Sequence, residues 1–153
     1  MWADAVRVMK TAMNCCFVLC LAGCWGRVTL GADRADPETI SAAQELVRAV
    51  GVRWDESVFD ASVAPNFYKQ VKRSDVAAFL GTVRSKLGTL KSIKVIQSDE
   101  TQSDGSNGET MAADFLFDAT FAKGRGQISA TLVDDDGALL FQSLHVVSPL
   151  LKR

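Results

Sequence analysis

The chain has 153 residues, with 17 Lys and Arg against 18 Asp and Glu, a formal net charge of −1 and 48% hydrophobic residues. This length suits one domain with one core, and the charge balance excludes the strongly basic footprint of a nucleic-acid binder. All 4 cysteines stand between residues 15 and 24, so the rest of the chain has no thiol to build a disulfide framework.

The N-terminus comes first. Arg7 and Lys10 supply positive charge, and Thr11 to Gly23 is an apolar run of signal-peptide length, too short to cross roughly 30 Å of hydrocarbon as a helix. A metal site needs ligands that converge from a folded frame. Here Cys15, Cys16 and Cys20 are embedded among Phe17, Val18, Leu19 and Leu21, and the only histidine, His145, is far along the chain. No metal or other cofactor is expected.

The run ends in Leu21-Ala22-Gly23-Cys24. That tetrapeptide resembles the bacterial lipobox. The resemblance implies cleavage between Gly23 and Cys24 and a diacylglycerol on the Cys24 sulfur, so the membrane is a partner through the lipid anchor. Residues 1–23 are then a signal peptide and 24–36 a tether to a single domain over 37–153. The expected location is the bacterial cell envelope, facing the periplasm or on the outer membrane. The alternative is a soluble secreted protein cut later, for instance after Ala32.

Asp36-Pro37-Glu38 reads as a helix start, with Asp as N-cap and Pro at the first helical position. Ile40, Ala43, Leu46, Val47 and Val50 follow at three- and four-residue spacings, and Gly51 is the expected stop. Residues 52 to 73 are less regular. Pro65 breaks them, which predicts one or two short helical pieces burying Trp54, Val58, Phe59 and Phe67. A further helix is expected from a Ser74 cap through Val76, Phe79, Leu80, Val83 and Leu87 to Gly88, with Gly81 inside it.

The period then changes to two. Leu90, Ile93 and Val95 open a strand, "SDETQSDGSNGE" reads as a long hairpin connection, and Ala113, Phe115, Phe117, Ala119 and Phe121 share one face of a second strand. Lys123-Gly124 turns into a strand carrying Ile128, Ala130 and Leu132, and the "DDDG" at 134–137 turns into "ALLFQSLHVV". That acidic turn is no EF-hand loop, since glycine arrives fourth and the twelfth position is His145. Helices followed by four antiparallel strands predict an α+β fold, with N-terminal helices packed on a curved antiparallel meander.

Residues from about Ala43 to Pro149 resemble the cystatin-like, nuclear transport factor two-like fold. The resemblance is carried by "FLGTVRSKLGTLKSI", "FAKGRGQISATLV" and "GALLFQSLHVVSP". Its motifs are structural, so it implies a fold and no catalytic residue. Two function classes stand side by side. One is a non-catalytic, lipid-anchored domain that binds a small apolar ligand or an envelope protein. The other is a pocket enzyme of isomerase or hydrolase type, using His145 or Tyr68 as acid or base in a pocket that Asp114 or Asp118 would also line. A homodimer through an open sheet face is a further partner expectation, from analogy with the fold.

Overall fold

The computed structural model describes residues 34–105 and 108–152, without the side chains of residues 102–110. The expected signal peptide over 1–23, the expected cleavage pair Gly23 and Cys24, and most of the expected tether lie outside the described residues. Four helices, α1 (Pro37–Arg53), α2 (Glu56–Asp60), α3 (Phe67–Gln70) and α4 (Arg73–Lys86), precede four strands, β1 (Leu90–Gly105), β2 (Gly108–Phe121), β3 (Gly124–Asp135) and β4 (Ala138–Val147). A short 3₁₀ turn over Pro149–Lys152 follows. The strands form one antiparallel sheet in the order β1-β2-β3-β4. The expected α+β layout of helices followed by a meander is therefore the one observed.

Helix α1 begins as its sequence dictates. Asp36 accepts from the Glu38 and Thr39 N–H groups at 2.8 and 3.0 Å and from the Thr39 hydroxyl at 2.7 Å. The end is different. The helix runs through Gly51 and stops at Trp54, whose backbone is left-handed at φ 49°. Packing explains the overrun: a Cβ on Gly51 would stand 2.6 Å from Leu90 Cδ2, so the glycine admits β1 against the helix and does not terminate it. Helix α4 likewise starts one residue before the expected Ser74 cap. Lys72 precedes it without a side-chain cap, and Arg73 is held by an ion pair to Asp60. At its far end Gly88, at φ 74°, closes the helix through N–H bonds to the Val83 and Arg84 carbonyls, the left-handed ending that glycine adopts without a Cβ penalty.

The core lies between the helices and one face of the sheet. Ala43, Val47 and Val50 of α1 and Val76, Leu80 and Val83 of α4 are buried, together with Trp54, Phe59 and Phe67 between them. From the sheet come Phe115, Phe117, Ala119 and Phe121 of β2, Ile128, Ala130 and Leu132 of β3, and Phe141 of β4. Asp114 and Asp118 alternate outward and are exposed. Ala35 is buried in the same core, so packing begins just before α1.

Two features of the sheet depart from simple alternation. Most of the polar stretch read as a long connection is strand, over residues 98–105 and 108–109: β1 and β2 stay paired from Gln102↔Met111 to Gly105↔Gly108, making a two-stranded ribbon beyond the last β2–β3 pair, Ala112↔Val133. Register also shifts in three places, leaving Lys91 and Ile96 of β1 and Gln142 of β4 unpaired. A one-residue bulge exchanges the two faces for everything after it.

Candidate functional site

The end of α1 and the start of α2 meet the middle of α4. Trp54 closes α1 in the left-handed region, and its indole N–H donates to the Gly88 carbonyl at 3.1 Å, which fixes the ring against the core. The next residue, Asp55, caps α2 by accepting from the Ser57 N–H and hydroxyl at 2.8 and 2.7 Å. Those bonds, the Ser57 hydroxyl first, hold the Asp55 carboxyl below its ordinary range. Opposite stand Leu80, Gly81 and Arg84 of α4. Together with Glu56 and Ala77 they line an open, mainly polar cleft of about 180 Å³.

One turn further along α2, Asp60 joins three helices. Its Oδ1 accepts from the Tyr68 hydroxyl, and its Oδ2 pairs with Arg73 Nη1 at 2.6 Å. The Arg73 guanidinium lies 4.0 Å from the centre of the Tyr68 ring, within cation–π range. Burial first, and then the bond to Asp60, push the Tyr68 phenol up to about 12, with Glu56 adding to the effect and Arg73 opposing it. The same hydroxyl, together with Arg73, holds Asp60 below the usual carboxylate range. A phenol held protonated against an ionised carboxylate is a clamp between α2, α3 and α4. It is a poor proton shuttle near neutrality, since its proton is most firmly held there.

His145 stands elsewhere. Sequence alternation predicts that it shares a face with Phe141, but the bulge at Gln142 intervenes, so Phe141 pairs with Leu132 and His145 with Ser129. Leu144 and Val146, opposite Ala130 and Ile128, complete the core side, while His145 is exposed on the outer face beside Ser143 and Val147. Tyr68, on the helix side, is half-buried with its ring against Phe67. The structure does not bring the two together, and Asp114 and Asp118 lie on the outer face with His145. Cys24 and Gly23 are not among the described residues. Among those that are, no group of three or more His, Cys, Asp or Glu side chains is arranged to hold a metal ion, and no helix is long and apolar enough to cross a membrane.

Sequence reasoning did not find the cleft. Its one visible signal is Gly81, an unexplained glycine inside an otherwise regular amphipathic helix. No family model matches the chain, and no curated protein or solved structure matches it either.

Proposed function

We propose that this is a bacterial lipoprotein, anchored through Cys24 to an envelope membrane, whose α+β domain is a non-catalytic binding module of the cystatin-like, nuclear transport factor two-like kind. The observation that carries the reading is Leu21-Ala22-Gly23-Cys24 at the end of a charged and then apolar N-terminus. The cysteine supplies the thiolate to which a diacylglyceryl group is transferred, and the small residue before it leaves the backbone open to the peptidase. More than one acyl chain on that cysteine would make the attachment stable, where a single chain binds only marginally.

The helical cover of one sheet face supports binding over catalysis. It places Tyr68 and His145 on opposite sides of the sheet, and the Tyr68 proton is committed to Asp60. The domain would hold a small ligand or an envelope protein at the membrane surface. Replacing Cys24 by Ser tests the anchor. The expected result is loss of labelling by a palmitate analogue and release of the protein from membranes, and persistence of both would sink the reading. Cross-linking and co-purification of the anchored protein from its own envelope would then identify the bound species.

A further inference from the structure

We propose that the end of the domain made by the start of β1, the β2–β3 turn, the end of α4 and the closing 3₁₀ turn docks on the anionic phospholipid headgroups of the membrane that holds the anchor. This rests on the lipoprotein reading above and adds an orientation to it.

The sequence scatters its cations, and the fold gathers them. Leu90 pairs with Phe121 and Phe121 with Gly124, so the start of β1, the end of β2 and the start of β3 share one end of the sheet. Helix α4 ends there too, because Lys123 donates from its backbone N–H to the Leu87 carbonyl at 3.0 Å and from its ammonium to the Ser85 carbonyl at 2.6 Å. Ser148 ties the closing turn to the same place through its bonds to Arg125 and Leu150. Arg84, Lys91, Lys123, Arg125 and Lys152 are thereby brought together, all of them exposed. Among the described residues none of the five is in an ion pair. They are countered by Asp55 and Glu56, which share the cleft with Arg84, and by Asp118, which stands opposite Lys94. Exposed Val147, where β4 ends, adds apolar surface to this end.

The other end of the sheet has the opposite character. Residues 95–117 and 126–144 contain no lysine or arginine, and Asp99, Glu100, Asp114, Asp134 and Asp135 lie on the strands there. The chain as a whole is at −1, yet the two ends of its sheet carry opposite signs. Such a charge distribution orients a molecule over a charged surface.

A bilayer is the occupant that the chain itself brings within reach. Residues 24–34 span at most about 35 Å when extended, and α1 is about 25 Å long, so the tether lets either end of the domain meet the surface. Charge then selects the basic end, since each lysine or arginine close to an anionic leaflet favours contact about fivefold. Lys69 and Lys72, the other exposed cations of the helical layer's connections, stand at the far end of α4, beside the Arg73–Asp60 ion pair.

The mature, lipidated protein on vesicles tests the orientation. Cys24 is its one cysteine and carries the lipid, so a fluorophore on Thr89→Cys or Asp135→Cys is uniquely placed at the basic or the acidic end. On phosphatidylcholine mixed with phosphatidylglycerol, a headgroup-bound quencher should quench the Thr89→Cys label several-fold more than the Asp135→Cys label. The difference should vanish on pure phosphatidylcholine and in about 1 M salt, where the Debye length is about 3 Å. Lys91→Gln and Lys152→Gln should each lower the orientational preference about fivefold, and Lys69→Gln should leave it unchanged.

Equal quenching of the two labels, a closer Asp135→Cys label, or a preference that ignores lipid charge would overturn the proposal. So would a loss with Lys69→Gln as large as with Lys91→Gln. Salt-sensitive self-association without any lipid preference would overturn it in favour of a second copy of the chain, acidic end on basic end. Flotation with pure phosphatidylcholine reports the anchor alone. If the wild-type chain fails that, the anchor reading falls, and the basic end should still give salt-sensitive flotation with phosphatidylglycerol vesicles that the two glutamine replacements weaken; its absence would overturn the docking surface as well.

Discussion

Gly51 of α1 and Leu90 of β1 are in such close contact that a Cβ on the glycine would stand 2.6 Å from Leu90 Cδ2 and 2.8 Å from its Cβ. Helix and strand are joined at this point by the absence of a side chain. Gly51→Ala should therefore force Leu90, itself buried, out of its rotamer and cost about 1 to 3 kcal/mol, the usual range for overpacking. Gly81→Ala meets nothing and should stabilise the domain by up to about 1 kcal/mol through helix propensity and a more restricted unfolded chain. Urea denaturation of the two variants checks both signs. A stable Gly51→Ala would mean that α1 and β1 do not approach so closely.

Tyr68 is the only tyrosine in the chain, so absorbance at 295 nm reports its ionisation as a one-site curve. The native midpoint is expected near 12, and near the ordinary value of about 10 in urea. Asp60→Asn should lower the native midpoint yet leave it above the urea value, because burial, the larger cause, remains. The stability consequence follows in sign. The folded phenol holds its proton more tightly than the unfolded one, so its contribution is full below about pH 10 and is lost as pH rises towards about 12. Asp60 behaves oppositely: its folded value is depressed, so its contribution is full above the ordinary carboxylate value and is lost as pH falls from there through the lower folded value. A native midpoint equal to that in urea would show that the clamp does not form in solution.

Ser148 is buried at 1% exposure immediately after β4. Its hydroxyl donates to the Arg125 carbonyl at 2.8 Å and accepts from the Leu150 N–H at 3.3 Å, so one side chain joins the start of β3 to the closing 3₁₀ turn. Ser148→Ala leaves both partners short of a bond and should cost about 1 to 3 kcal/mol. Ser148→Thr keeps the hydroxyl but adds a methyl group in a closed space, so it should rescue only part of that loss. Amide exchange at Leu150 should quicken in Ser148→Ala, and unchanged protection there would remove the hydroxyl's bridging role.

Much of this fold is legible in the chain because local chemistry and burial agree. Asp36-Pro37 specifies a helix start through its own side chain, and Phe115, Phe117, Ala119 and Phe121 alternate without interruption because no bulge falls within β2. Where the two levels separate, sequence reading fails. Gly51 carries the residue type of a helix stop, but a strand far along the chain makes use of it. The β1–β2 ribbon over 102–105 and 108–111 consists largely of polar and small residues, so no hydrophobic period marks a pairing that rests on backbone bonds. The cleft joins Trp54 to Arg84 across two helices. Nothing in either local stretch announces the other.

The bulge at Gln142 decides which face of β4 is buried, and it supplies the last prediction. Before it, Phe141 is buried opposite Leu132; after it, Leu144 and Val146 point inward while His145 is exposed opposite Ser129. Phe117 and Phe141, both at 0% exposure, should each cost about 3 to 5 kcal/mol when cut to alanine, a large share of a typical total of about 5 to 15. His145→Ala, on the solvent side, should change stability by about 0.5 kcal/mol or less. Deleting Gln142 separates the bulge from residue identity. Without the extra residue Ser143 follows Phe141 directly, so regular alternation keeps the present pairs, with Leu144 and Val146 inward and His145 outward. The deletion should therefore cost less than either phenylalanine truncation. If chemical denaturation found it as costly as Phe141→Ala, β4 would have to pair with β3 without that bulge, and His145 would then belong to the buried face.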